Sequence, residues 1–175
     1  MLSEEFLPSY LRNSPINKRK KNVYKSKSLP THWNSMDCWP YINVIDQNGL
    51  NLKYNGPGRE NNRHNLFLRC IGIGYCKSDV ELNVLPGWVS DSIGYHGDDG
   101  RLYYGRGNGK MFGPCYATGD TIDDLINYEL VGEMYPMCGM AINGECISAN
   151  FGTKPFVFDI DNYAEVIFAD AESKE

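Results

Sequence analysis

The sequence predicts an all-β fold, a sandwich or barrel of many short strands, and three observations carry the prediction. Eighteen Gly and nine Pro punctuate the 175 residues, so turn formers recur at close spacing. Twelve Tyr and seven Phe make aromatics dense, which suits pleated, half-buried surfaces better than long helices. Two Asn-Gly pairs, Asn48-Gly49 and Asn143-Gly144, separate short apolar runs, where both residues tolerate the positive φ of tight hairpin turns.

Residues 1–28 read as a basic, disordered arm. Lys18, Arg19, Lys20 and Lys21 stand consecutively, Lys25 and Lys27 follow, and Pro8 and Pro15 break any helix. The first strand pair is 41–45 and 50–54, flanking Asp46-Gln47-Asn48-Gly49. A buried strand is expected within 66–76, where Gly72 and Gly74 leave room for a bulge or a close backbone approach. Further strands fall at 93–96, 102–104, 137–142, 145–149 and 156–158, with Asn143-Gly144 joining two of them as a second hairpin. One segment departs from the pattern: in 121–131, Ile122, Leu125, Ile126 and Leu130 repeat at helical spacing behind Asp120 or Thr121 as N-cap. Residues 164–175 form an acidic tail.

Charge and composition exclude several functions. Seventeen Lys+Arg against 22 Asp+Glu give a formal net charge of −5, whereas a dedicated nucleic-acid binder shows a basic excess. The longest apolar runs, such as Leu66-Phe67-Leu68, are too short to span a membrane. The N-terminus carries Glu4 and Glu5 where a secretion signal would carry cations, so a cytoplasmic or nuclear protein is expected. The six cysteines, with no Cys-x-x-Cys pair, are then expected as free buried thiols, and with three scattered His they make no structural zinc site. No cofactor is expected.

Three constellations invite a chemical reading. Gly105-Arg106-Gly107-Asn108-Gly109-Lys110 resembles a phosphate loop, yet Tyr104 and Met111 occupy the places of its first Gly and its Ser/Thr. A glycine-rich surface turn is the better reading. His96-Gly97-Asp98-Asp99-Gly100 sets a His beside two carboxylates, the groups of an acid–base or metal site, but Asp in a Gly-bounded turn ordinarily solvates or bonds the local backbone. No nucleophile is tied to His96 by spacing, so catalysis by His96 with Asp98 or Asp99 stands third among the readings. The Lys18–Lys21 block suits nuclear import or contact with an acidic surface. Trp33, Trp39 and Trp88 read as core or rim residues, with Trp88 partly exposed beside a turn.

The order of short motifs then becomes specific. Leu85-Pro86-Gly87-Trp88 is followed by Ser92-Ile93-Gly94-Tyr95-His96-Gly97-Asp98-Asp99-Gly100, Phe112-Gly113-Pro114, Thr118-Gly119-Asp120-Thr121-Ile122 and Tyr135-Pro136. Ala149-Asn150-Phe151-Gly152 and Pro155-Phe156-Val157-Phe158-Asp159-Ile160 close the series. Upstream, Leu29-Pro30-Thr31-His32-Trp33 and Leu52-Lys53-Tyr54-Asn55-Gly56-Pro57-Gly58 fit as entry strands. Residues 29–163 thus resemble a SPRY (B30.2) domain of the Ran-binding protein M type.

That resemblance implies a bent antiparallel β-sandwich that binds proteins and catalyses nothing. Loops at one end would form a preformed pocket for a short peptide segment of a partner. Carried onto this chain, the surface comprises Trp88, Tyr95, His96, Gly97, Asp98, Asp99, Gly100 and Tyr103, with Asn143 as an outlying candidate. Tyr and Trp would give rigid contact area, and the two Asp would accept from a basic or amide-bearing peptide. Partners of the CTLH-type ubiquitin ligase are implied through the SPRY surface alone, because the resemblance stops before the LisH, CTLH and CRA helical regions.

Two departures imply an incomplete sandwich. Relatives carry several strands between the Gly-Pro-Gly and Ile-Gly-Ile-Gly elements, where this chain has only 59–69. They also carry an Asn-x-Gly hairpin before Tyr-Pro, where this chain has only 123–134. Missing strands expose backbone edges and apolar faces. The second reading is accordingly a truncated regulatory or non-functional variant that competes with a full-length relative, or needs a partner to fold.

Overall fold

A computed structural model describes residues 30–57, 71–122 and 133–159. The basic arm with Lys18, Arg19, Lys20 and Lys21, the acidic tail, the start of the 66–76 strand and the helix expected beyond Ile122 lie outside the described residues. So do nearly all of the two shortened segments.

The described residues form eight strands: β1 Ile42–Val44, β2 Asn51–Tyr54, β3 Gly72–Cys76, β4 Ser92–His96, β5 Arg101–Tyr104, β6 Lys110–Met111, β7 Tyr135–Gly139 and β8 Cys146–Ser148. They build two sheets, β1-β2-β8 and β6-β5-β4-β3-β7, antiparallel at every pairing. The all-β prediction holds. Among the described residues no helix is long and apolar enough to cross a membrane.

The first hairpin forms where the sequence places it, with Ile42 opposite Tyr54 and Val44 opposite Leu52. Its turn depends on two residues. Gly49 alone adopts positive φ, at 70°, and the Asp46 carboxylate accepts from the backbone N–H of Leu50 and Asn51 at 3.0 and 2.7 Å. Those bonds satisfy donors that the turn would otherwise leave open.

Three expectations are corrected. Asn143-Gly144 does turn the chain, with Gly144 at φ 87°, but it does not close a hairpin. β7 pairs with β3 and β8 with β2, so this corner passes the chain from one sheet to the other. The Glu145 carboxylate fixes that corner by accepting from Ala141 and Ile142 N–H, which ends β7 at Gly139. Residues 156–158 form no strand, and the chain bends at 157 and 158. Asn150 holds the approach to them, accepting from Gly152 and Lys154 N–H and donating to the Lys154 carbonyl, and Val157 is left 80 % exposed. The cysteines are unbridged in all five described cases, but Cys115 and Cys146 are exposed. The Gly-rich 105–109 segment is the surface turn between β5 and β6, a two-residue strand whose exposed Lys110 and Met111 gave no alternation to read.

The sandwich closes around Leu52, Tyr54 and Met140, with Trp33, Trp39, Ile42, Val44, Ile71, Cys138 and Ile147 packed against them. The opposite face of the five-stranded sheet is built differently. Gly72 pairs with Gly139 and Gly74 with Gly94, giving a patch of four glycines on that face. Leu85-Pro86-Gly87 lies directly on it: a Cβ at Gly94 would stand 2.2 Å from the Pro86 carbonyl oxygen, and one at Gly139 2.7 Å from Leu85 Cδ2. Glycine is required there by close approach, as the sequence reading of Gly72 and Gly74 anticipated.

Candidate functional site

β4 and β5 carry the site, because strand alternation divides their residues between two faces. His96 and Tyr103 point to the glycine floor; Tyr95 points the other way.

On the floor side, the loop after Leu85 is stapled by short bonds. Ser92 Oγ accepts from Gly87 N–H and donates to the Val89 carbonyl, both at 2.8 Å. His96, 0 % exposed, sets Nε2 2.8 Å from the Pro86 carbonyl oxygen. A carbonyl only accepts, so Nε2 carries the proton. Its Nδ1 is then a buried acceptor with no partner. Burial holds the His96 pKa below the ordinary imidazole value, against the backbone bond and the Asp98 and Asp99 charges, which pull it up. The ring lies 4.3 Å from Tyr103 and 5.0 Å from Trp88, centroid to centroid, and Trp88 meets Tyr103 edge-on at 6.0 Å.

Tyr103 links this aromatic cluster to the acidic turn. Its hydroxyl donates to Asp99 Oδ2 at 2.6 Å. Burial, then the Asp99 bond and charge, push its phenol up to about 12. Asp99 Oδ1 also accepts from Arg101 N–H at 3.0 Å. Asp98 keeps one buried carboxylate oxygen unpaired.

The turn itself is anchored from beneath. Gly97 N–H donates to the Ile71 carbonyl and Gly100 N–H to the His96 carbonyl. A Cβ at Gly97 would meet the Tyr116 ring at 2.7 Å, and Gly100 has φ 67° with Gly113 O against it. Tyr95, 5 % exposed, stacks edgewise on Phe112 at 5.1 Å and donates its hydroxyl to the Pro114 carbonyl. Tyr116 hydroxyl donates toward the carbonyls of Ile71 and Tyr95.

The structure therefore brings Trp88, His96, Asp99 and Tyr103 into one cluster, with Asp98 in the adjoining turn. Half-buried Trp88, Asp98, Asp99 and Tyr103 are the groups open to a ligand; Tyr95, His96, Gly97 and Gly100 are buried and form the frame. Asn143 is apart from them, donating to the Gly56 carbonyl at 2.9 Å beside the three-stranded sheet. Sequence reasoning missed the supports: the Pro86 carbonyl and the 112–116 segment. Their signal was Gly97, Gly100 and Gly113, whose missing side chains admit the close contacts. Among the described residues no serine or cysteine bonds to His96, and its Nε2 proton is held by Pro86.

No protein-family model matches the chain. It is 31 % identical over 196 aligned residues to Ran-binding protein 10 of Danio rerio, covering 85 % of this chain and 32 % of that protein. Ran-binding protein 9 of Homo sapiens matches at 31 % over the same length, covering 85 % and 27 %. The Ran-binding protein M homolog of Arabidopsis thaliana is 35 % identical over 112 residues, covering 53 % and 24 %. The chain thus spans a third or less of these relatives. Since 85 % of 175 residues is about 149, about 47 of the 196 aligned positions are filled only in the relative. A crystal structure of a human SPRY domain aligns at 26 % identity and TM-score 0.35, over 45 % of this chain and 59 % of that one.

Proposed function

The chain is a SPRY protein of the Ran-binding protein M type, and from that premise we propose that it is a non-enzymatic interaction module that recognises a short peptide segment of a partner protein. The observation that carries this reading is the cluster around Tyr103: an aromatic wall from Trp88 and Tyr103, with Asp99 locked to the tyrosine hydroxyl at 2.6 Å. Rigid aromatic area beside fixed acceptors costs little ordering when a partner docks. Asp98 and Asp99 favour a segment bearing Lys, Arg or amide donors.

Partners are proteins, with components of a CTLH-type ubiquitin ligase as the class to try first; nucleic acid and membrane are not expected. The basic block Lys18, Arg19, Lys20 and Lys21 would enrich the protein in the nucleus over the cytoplasm. Peptide-display selection on the full chain tests the main reading. Selected peptides should be basic or amide-rich and bind more weakly with rising salt. Trp88→Ala, or Asp98→Asn with Asp99→Asn, should remove binding while far-UV circular dichroism and a cooperative thermal transition are retained. Selected peptides that tolerate all three substitutions would overturn the assignment.

The second reading, a variant that competes with a full-length relative or needs a partner to fold, is favoured by the 47 or so unmatched positions. A broad, non-cooperative thermal transition with dye-binding apolar surface would select it.

A further inference from the structure

A cavity of about 370 Å³ lies between the two sheets, at the Cys76 end of β3. Gly72, at the other end of that strand, pairs with His96 beside the acidic turn; four residues of strand, about 13 Å, separate the two places. The volume falls in the range of small-molecule sites. Its walls are mostly apolar and aromatic, including Trp33, Trp39, Val44, Leu52, Met137 and Phe151. Trp33 and Phe151 meet edge-on at 5.0 Å, which fixes that wall.

The polar groups around the cavity are unequal. Trp33 spends its indole N–H on the Leu50 carbonyl at 3.2 Å, and the Cys38 thiol faces the carbonyls of Ser35 and Ile42. Lys77 is tied to Asp91 at 2.6 Å, so the one ammonium in the lining is already neutralised. Asp37 is exposed in the lining, and its carboxylate bonds to no other described residue. Among the described residues, the balance is an apolar chamber with one carboxylate, Asp37, at its mouth and no partner for it.

We propose that this cavity is a second binding site, for a compact apolar molecule carrying a cationic head, with the body among Trp33, Trp39 and Phe151 and the head toward Asp37. Indole faces and a carboxylate attract a cation together, whereas an anion would meet Asp37 with no free counter-charge in the lining.

The test uses the full chain labelled with nitrogen-15 and three aromatic probes: benzyltrimethylammonium, its neutral isostere neopentylbenzene, and the anion benzenesulfonate. Benzyltrimethylammonium should shift the Trp33 and Trp39 indole signals saturably, and benzenesulfonate should not. Asp37→Asn, on the exposed rim, should weaken the cation about two- to five-fold, the effect of one exposed charge pair, and leave neopentylbenzene unchanged. Val44→Trp should fill the chamber and abolish binding of both. Absence of saturable shifts, equal binding of all three probes, or a cation affinity indifferent to Asp37→Asn would overturn the proposal. The Asp37→Asn arm carries the test by itself should Val44→Trp fail to fold.

Discussion

Replacing His96 with Ala should be among the most costly single changes in this chain, and the structure sets the size of the effect. The Pro86 carbonyl would lose its donor inside the protein, which costs about 1–3 kcal/mol. The ring, wholly buried between Trp88 and Tyr103, would leave a hole worth about 2–5 kcal/mol. Removing the unpaired Nδ1 returns about 1–3 kcal/mol, because an orphaned buried acceptor is a standing cost. The net is a destabilisation of about 3 kcal/mol, or about 6–12 °C in Tm for a chain this long. Urea unfolding at pH 8, followed by near-UV circular dichroism, measures it. The same ring gives a second signature. Because burial lowers the folded-state pKa from 6.5, the unfolded chain binds the extra proton first. The contribution of His96 is therefore complete above pH 6.5 and falls as pH drops below it, through the folded pKa; the His96→Ala curve should lack that component. A loss under about 1 kcal/mol, with unchanged acid dependence, would refute the clamp between His96 and the loop.

Three further outcomes follow from particular contacts. Tyr103 should titrate near pH 12 by ultraviolet absorbance, and Asp99→Asn should move it down; stability from this group is present below pH 10 and is lost as pH rises toward 12, since the unfolded phenol ionises first. Gly94→Ala should cost about 1–3 kcal/mol or more in urea unfolding, because its Cβ would stand 2.2 Å from the Pro86 carbonyl oxygen and the loop would have to lift. Thiol labelling at pH 8 should reach Cys115 and Cys146 quickly and Cys76 and Cys138 slowly, since burial, with Asp37 adding at Cys76, pushes the latter pair up to about 11 and about 12. Equal labelling rates at all four would contradict the closed sandwich.

What could be read from the residues was local. The 46–49 turn follows from Asp46 and Gly49, and the strands around Ile93, Leu102 and Ile147 follow from their composition. Sheet membership is non-local: Asn143-Gly144 makes a turn whichever sheet β8 joins, and pairing with Asn51–Lys53 decides it. The site was half legible for a similar reason. Period-two alternation separates Tyr95 from His96, but only the 85–89 loop on the glycine floor shows that His96 is sealed and serves as a clamp. Asn143, an outlying candidate that only the resemblance implied, donates instead to Gly56. Residues 156–158 carry strand-forming side chains, and Asn150 claims the preceding backbone before any ladder forms.

The central claim is that a loop held on a glycine patch of the five-stranded sheet presents the aromatic and acidic surface. Native-state amide hydrogen exchange tests it at one proton, the Gly87 N–H bonded to Ser92 Oγ at 2.8 Å. The account predicts that Gly87 exchanges as slowly as the ladder amides of β3 and β4, in one cooperative unit. Exchange of Gly87 at the rate of an open loop, while those ladder amides stay protected, would contradict it.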